Sequence, residues 1–409
     1  MDKKKFKIGV SGIGTGILAA GFAFGVLWGF GRVSSPEAYP PVIADEPSDE
    51  NKESELSPAT VSDVVIPPPA PVHISTPSPL RAAYMTSWVA GTPSFRAQLL
   101  AFADASEINA FVIDVKDYTG KVAFRTGDSF IESIGSEENR VPDMRSFIEE
   151  LHARNMYAIA RISVFQDPYL AQHWPHVAVQ KSDGSIWKDR KGISWVDPAS
   201  RDVWEYTVHV ARAAEAAGFD ELNFDYVRFP SDGNMTNISF PVWDGVKPRA
   251  DVMEDFFAYL NEELSDLPVP ISLDLFGMTM TNTDDLNIGQ VLEKAAPYAG
   301  YIAPMVYPSH YPPTWNGLKN PAASPYEVIY YAMSEGERRL EVLRASAASS
   351  SSPLYGKKIG ELRPWIQDFD LGADYTADMI QKQKQAVYDV GLDSWMAWDP
   401  KNIYTKEAY

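Results

Sequence analysis

The sequence contains no cysteine. Disulfides, thiolate nucleophiles, cysteine-ligated zinc and iron–sulfur clusters are therefore excluded together. Histidine is scarce, at six residues in 409. The first strand candidate, "AAYMTSW", lacks the H-x-H that a metal-dependent amidohydrolase barrel places there, and His173 and His176 in "HWPH" read as a surface loop. Positive charge is also in deficit: 36 Lys and Arg face 55 Asp and Glu, a formal charge of −19. That argues against nucleic acid or anionic lipid as a partner, since both recruit basic surface. No glycine-rich phosphate loop follows the first strand candidate and no nucleophile elbow marks a serine triad, so no cofactor is expected.

What is present begins with "MDKKKFK" and an uncharged, largely apolar stretch over residues 8–30. As a helix it would be about 35 Å long, enough for a hydrocarbon core of about 30 Å. The lysines before it and Arg32 after it orient the start of the chain to the cytoplasm and the remainder outside. Residues 1–32 are thus expected to be an uncleaved signal-anchor in the cell membrane, a cleaved signal peptide with secretion being the alternative. Gly21, Gly25 and Gly29 recur four apart, the seam of a weak transmembrane dimer. Residues 33–79, rich in proline, serine and acids, read as an extended, disordered spacer, because so few large apolar side chains cannot offset the entropy of ordering.

From residue 80 to 409 short apolar runs alternate with helical patterns. Strands are expected at 81–87, 110–116, 157–163, 221–226, 271–276, 301–306, 361–367 and 394–398. Between them lie helical stretches such as "VPDMRSFIEELHARN" and "SRDVWEYTVHVARAAEAAG". Eight strand–helix units in this span predict an α/β fold of the (β/α)8 TIM-barrel class, with an open doubly wound sheet as the runner-up. The two longest strand-to-helix connections, 117–140 and 166–198, would lie on the C-terminal face of the barrel.

Side chains alternate across a strand. In "FVIDVK", "LNFDY" and "ISLDLF" the apolar residues share one parity, while Asp114, Asp225 and Asp274 fall on the other. If the apolar set meets the outer helices, the three aspartates turn into the barrel. Burying charges as mere packing is expensive, so they are candidate catalytic groups. Two carboxylates on neighbouring strands suit an oxocarbenium-like transition state, with Asp225 as nucleophile or stabiliser and Asp274 as acid. Arg161 or Arg228 would supply the countercharge for Asp225. Arg161 on the third strand and Arg363 on the seventh are both expected near the C-terminal ends. Trp88, Tyr118, Trp187, Trp195, Tyr226, Tyr307, Tyr311, Trp365 and Trp398 make the mouth aromatic, either as sugar platforms or as covers over the core. His310 and Asp399 are further candidates for substrate contact, although "WDP" around Asp399 equally forms a turn. Lys116 loosely fits a Schiff-base lysine, but as the partner of Asp114 or Asp117 it would need no chemistry.

The ordered motifs "VIDVKD", "ARISVFQDPYLA", "KDRKGISWVDP", "FDELNFDYVRFP", "DLFGM", "PMVYPSHY" and "RPWIQDF" resemble those of a bacterial family of glycosyl hydrolase domains whose biochemistry is poorly defined. The resemblance implies a TIM barrel and a glycosidase-like site position over residues 80–409. "GFDELNFDYV" is also similar to the strand-four signature of chitinase-like glycosidases, but Val227 stands where those enzymes carry the acid glutamate. A strand-four aspartate nucleophile, as in α-galactosidase- and α-amylase-like barrels, is the nearer analogy. The expected function is extracytoplasmic hydrolysis of O-glycosidic bonds of a polysaccharide, a cell-wall glycan, an exopolysaccharide or an α-glucan, by paired Asp carboxylates. The alternative is a non-catalytic carbohydrate-binding envelope protein on the same scaffold.

Overall fold

The structure, a computed structural model, describes residues 70–409. The signal-anchor, its glycine seam and the spacer as far as residue 69 lie outside the described residues. Among those described, no helix is long and apolar enough to cross a membrane. The chain joins the folded unit before residue 80, earlier than its composition suggests. Ile74 N donates to Asp220 Oδ1 at 2.9 Å, and the Thr76 hydroxyl lies 3.0 Å from that of Tyr157.

Eight parallel strands form the barrel. They are β1 (Arg81–Met85), β2 (Ala110–Lys116), β3 (Tyr157–Ser163), β4 (Glu221–Asp225), β5 (Ile271–Phe276), β6 (Tyr301–Met305), β7 in two pieces (Glu361–Leu362 and Trp365–Gln367) and β8 (Trp395–Trp398). Each pairs with its sequence neighbours, β8 pairs with β1, and both pieces of β7 pair with β6, so the sheet closes on itself. Pro364 brings no amide hydrogen to the ladder, and it occupies the gap that splits the run expected as one strand.

One helix of the outer layer follows each of the first seven strands: α1 (Pro93–Asp104), α2 (Met144–Ala153), α3 (Arg201–Ala216), α4 (Arg249–Glu263), α5 (Leu292–Ala295), α6 (Pro325–Ala347) and α7 (Ala377–Asp389), with shorter helices at Ser87–Ala90, Ser129–Ile134 and Pro168–His173 in the loops. Two of the eight expected units are thin. The helix α5 is a single turn, and β8 is followed by only a 3-10 turn, Lys406–Ala408.

Strand parity sorts the two cores. Phe111, Ile113, Val115, Leu222, Phe224, Leu273 and Leu275 pack outward in the larger cluster against the helices. A smaller cluster fills the interior, including Ala82, Tyr84, Val112, Ile159, Ala303 and Trp365. Asp114, Arg161, Asn223, Asp225 and Asp274 therefore share the inward parity. Gly277, just after β5, must be glycine: a Cβ there would stand 2.4 Å from the Met305 carbonyl oxygen. This close approach keeps the β5 and β6 ends together beneath the mouth.

Candidate active site

Asp225 ends β4, and the next residue, Tyr226, takes φ +53. For a bulky L-residue this left-handed conformation costs roughly 1–2 kcal/mol, and it ends the strand one residue before its expected end. The turn brings Tyr226 N back to donate to Asp225 Oδ1 at 2.5 Å. The other oxygen, Oδ2, accepts from Arg161 Nε at 3.1 Å and also from Nη2. Arg161 Nη1 donates to Asp114 Oδ1 at 2.6 Å, and Asp114 Oδ2 accepts from the Tyr84 hydroxyl at 2.5 Å. One buried guanidinium is thus shared by two carboxylates. Trp398 steadies this group: the Arg161 guanidinium lies 4.9 Å from its ring centre, and Tyr84 stacks on it at 3.8 Å.

Asp274 has no cation of its own. Its Oδ1 accepts from Asn223 Nδ2 at 2.9 Å and from Trp365 Nε1 at 2.8 Å. Asn223 pairs with Ser272 across β4 and β5, so Asp225 and Asp274, two residues further along each strand, stand at matched register. All four charged groups are nearly inaccessible, at 3% exposure for Asp114, 5% for Arg161, 4% for Asp225 and 1% for Asp274. Three carboxylates against one guanidinium cannot all be ionised there at low cost. Burial first, and the Asp225 charge second, push the Asp274 carboxyl up to about 8. Burial also raises Asp114, to about 6, against the opposing pull of Arg161. The arrangement therefore offers an ion-paired carboxylate beside a carboxylic acid that stays protonated at neutral pH, the division of roles that acid-assisted displacement needs.

The Trp365 hydrogen bond favours the ionised form of Asp274 and so opposes the upward shift. Trp365→Phe removes that bond and is expected to move the alkaline limb of any Asp274-dependent rate to higher pH. A pH–rate profile checks the direction; a limb moving down would reverse the sign of the argument.

The other expected site residues divide. Trp365 and Tyr307 are buried in the interior cluster, and Trp398 packs against it, partly buried. His310 is held at the end of β6, its Nδ1 3.1 Å from the Ser309 hydroxyl and its ring 5.3 Å from Tyr307. Arg228 is not the partner of Asp225: its Nη1 donates to the Phe229 carbonyl at 3.1 Å and the Ser231 hydroxyl at 3.2 Å. Asp399 holds a turn, its Oδ1 accepting from Lys401 N at 2.7 Å and Ile403 N at 3.0 Å.

Arg363 was expected at the mouth and is not there. It lies in the gap of β7, where its Nη2 pairs with Glu221 at the start of β4 and its guanidinium lies 4.2 Å from the Tyr301 ring centre. Both contacts are at the N-terminal end of the barrel, because residue 363 belongs to the first half of its strand. Lys116 pairs with Asp167 at 2.7 Å rather than with Asp114 or Asp117, a buried ion pair that ties the loop after β3 to β2.

Trp187, Trp195 and Tyr311 are buried as covers, whereas Trp88 and Tyr118 are 54% and 56% exposed, with Arg140 4.4 Å from the Trp88 ring. Two residues were missed as members of the site, Tyr84 and Asn223. Each had a legible signal, a polar group on the inward parity of its strand. Among the described residues no cluster of His, Asp and Glu is arranged to hold a metal ion.

A family model described as "Putative glycosyl hydrolase domain" matches residues 82–404. Among solved structures, the chain is similar to the PgaB (BpsB) glycoside hydrolase domain from Bordetella bronchiseptica. The two are 14% identical, with 79% of this chain and 95% of that one covered and a TM-score of 0.53, a likeness of fold. A hypothetical protein from Ruminiclostridium thermocellum is 32% identical over 47% of this chain and 96% of its own, with a TM-score of 0.43. The alpha-galactosidase TtGalA from Thermus thermophilus is 13% identical over 83% of this chain and 61% of its own, with a TM-score of 0.48. No curated protein matches the chain.

Proposed function

The chain belongs to this glycosyl hydrolase domain family, and from that premise we propose that it hydrolyses O-glycosidic bonds of a polysaccharide with Asp225 and Asp274. The observation that carries the reading is the matched pair itself. One carboxylate is bonded to a guanidinium; the other, on the adjacent strand, has no cation of its own, and burial raises it.

Asp225 attacks or stabilises the anomeric carbon, while Asp274 gives its proton to the leaving oxygen. Adjacent strands about 4.8 Å apart suit the short carboxyl separation, about 5–5.5 Å, of a retaining pair. In that course Asp225 forms a glycosyl ester as the leaving-group C–O bond breaks. Asp274, now ionised, then takes a proton from the water that cleaves the ester. Asp114 has both oxygens engaged by Arg161 and Tyr84, so its part is to aim the guanidinium. The apolar stretch at residues 8–30 would hold the barrel at the outer face of a membrane.

The full-length protein is expected to release reducing ends from at least one envelope polysaccharide, with an alkaline limb near pH 8 that follows protonation of Asp274. Asp274→Asn is expected to lose turnover on unactivated glycans while retaining glycan binding. Wild-type turnover in that variant would refute the assignment. Binding by the wild type with no cleavage of any glycan would favour the carbohydrate-binding alternative.

A further inference from the structure

We propose that the loops after β3 and β4 form a subsite for an anionic sugar, one bearing a carboxylate, at the end of the barrel that holds Asp225 and Asp274. This deepens the glycosidase reading and rests on it for where the glycan lies. The chain carries a formal charge of −19, so its overall field repels an acidic polymer. Lys188, Arg190 and Lys191 nevertheless follow one another closely in the loop after β3, and Arg228 lies in the loop after β4. None of the four makes an ion pair among the described residues. The only other arginines of which that is true, Arg201 and Arg249, lie over the rings of Trp204 and Trp243 at 4.1 and 5.0 Å.

The loop that carries them is built rather than loose. The Lys188–Ser194 bridge closes it as a hairpin whose tip Gly192, at φ +82, turns, and the Gln180–Ile186 bridge pairs the preceding segment with its first arm. Asp189 sets the tip from below. Its Oδ1 accepts from Lys191 N and Ile193 N, each at 2.9 Å, and its Oδ2 accepts from Trp195 Nε1 at 3.0 Å and Gln166 Nε2 at 3.2 Å. That carboxylate is consumed by the fold, while the Arg190 and Lys191 side chains stay exposed.

The hairpin is fastened to the β4 loop by an Asp189–Gly233 bridge and by Trp187 Nε1 donating to the Asn234 carbonyl at 2.9 Å. Arg228, three residues beyond Asp225, lies 4.8 Å from the Trp195 ring centre and 5.7 Å from that of Tyr226. Its two hydrogen bonds, both from Nη1, leave guanidinium donors over for a ligand. Burial first, and the Lys191 charge second, lower the His310 ring to about 4. Asp232 also faces this rim: burial raises its carboxyl, and Arg228, Lys191 and Arg190 pull it down.

Four cations facing one partly buried carboxylate leave an excess of positive charge at this rim, and a guanidinium fork takes a carboxylate in two parallel bonds. A uronic acid and the lactyl ether of peptidoglycan both present that group. Two arms separate them: polygalacturonate and peptide-free peptidoglycan strands, each compared with its carboxyl-reduced counterpart, in binding to the full-length protein at low and high salt. At low salt the carboxylated member of at least one pair is expected to bind roughly tenfold more tightly than its reduced form, a preference that shrinks with added salt. The arm that shows it names the source.

Arg190→Ala with Lys191→Ala is expected to erase the preference. The same double charge removal at Lys357 and Lys358, away from this rim, is expected to keep it. Equal binding of native and reduced glycans, binding of neither, or a preference surviving in the Arg190–Lys191 variant each overturns the proposal. Cleavage of a neutral glycan with indifference to carboxylates would remove this subsite and leave the glycosidase reading standing. A carboxylate preference without any cleavage would do the reverse.

Discussion

Asp225→Asn is expected to lower turnover on a cleaved glycan by at least about a thousandfold, the scale of removing a positioned reacting group, with glycan binding retained. The substitution keeps the shape of the side chain and the donor at Tyr226 N, but removes the charge that Arg161 engages. Its second effect is electrostatic. The Asp225 charge is one of the two influences raising Asp274, so without it the Asp274 carboxyl drops back towards its ordinary range. Any residual rate should therefore lose its alkaline limb near pH 8 and fall off at lower pH. Turnover measured across pH on the purified full-length variant reads both effects. A variant with wild-type turnover and an unmoved limb would show that Asp225 neither reacts nor acts on Asp274.

Arg363→Met is expected to destabilise the fold by about 3–5 kcal/mol, the range for leaving a buried charge without its partner. Glu221 is fully buried and Arg363 nearly so, and their pairing spans the interior from β4 to β7. Tyr157, whose hydroxyl donates to the other Glu221 oxygen at 3.3 Å, is too weak a partner to hold the charge alone. Adding Glu221→Gln to Arg363→Met should recover much of the loss, because the stranded anion disappears with its cation. Urea unfolding of the two single variants and the double variant measures the coupling. Single variants within about 0.5 kcal/mol of wild type, the span of ordinary surface changes, would mean that the pair contributes little. The same variants test the corrected position of Arg363, since a residue at the floor of the barrel should not alter the affinity for a glycan bound at its mouth.

The barrel and its inward acids were legible in the sequence for the same reason. Period-two alternation in "FVIDVK", "LNFDY" and "ISLDLF" forces Asp114, Asp225 and Asp274 to the side opposite Phe111, Phe224 and Leu273. The structure keeps that parity on all three strands. Depth within a strand is a different quantity, and parity does not report it. Arg363 has the inward parity of Trp365 yet belongs two residues lower, so it meets Glu221 instead of substrate. The break at Pro364 was visible, but its consequence depends on which strands flank it.

Partner choice was likewise left to the tertiary structure. Arg161 and Arg228 were equal candidates for Asp225 along the chain. Only the β3–β4 register, with Ser163 opposite Asp225 and Arg161 opposite Asn223, puts the first guanidinium within reach. The turn at Tyr226 sends the second towards Phe229 and Ser231.

By itself the sequence determined the alternation of strands and helices, the inward side of each strand, and the carboxylates with no apolar reason to be there. These are local consequences of backbone geometry and of the free energy of burying charge. The tertiary structure alone decided which two carboxylates share the guanidinium and which one is left without a cation. That division comes from distances between residues on β2, β3, β4 and β5, and Coulomb interactions in a buried site depend on separation in space rather than along the chain.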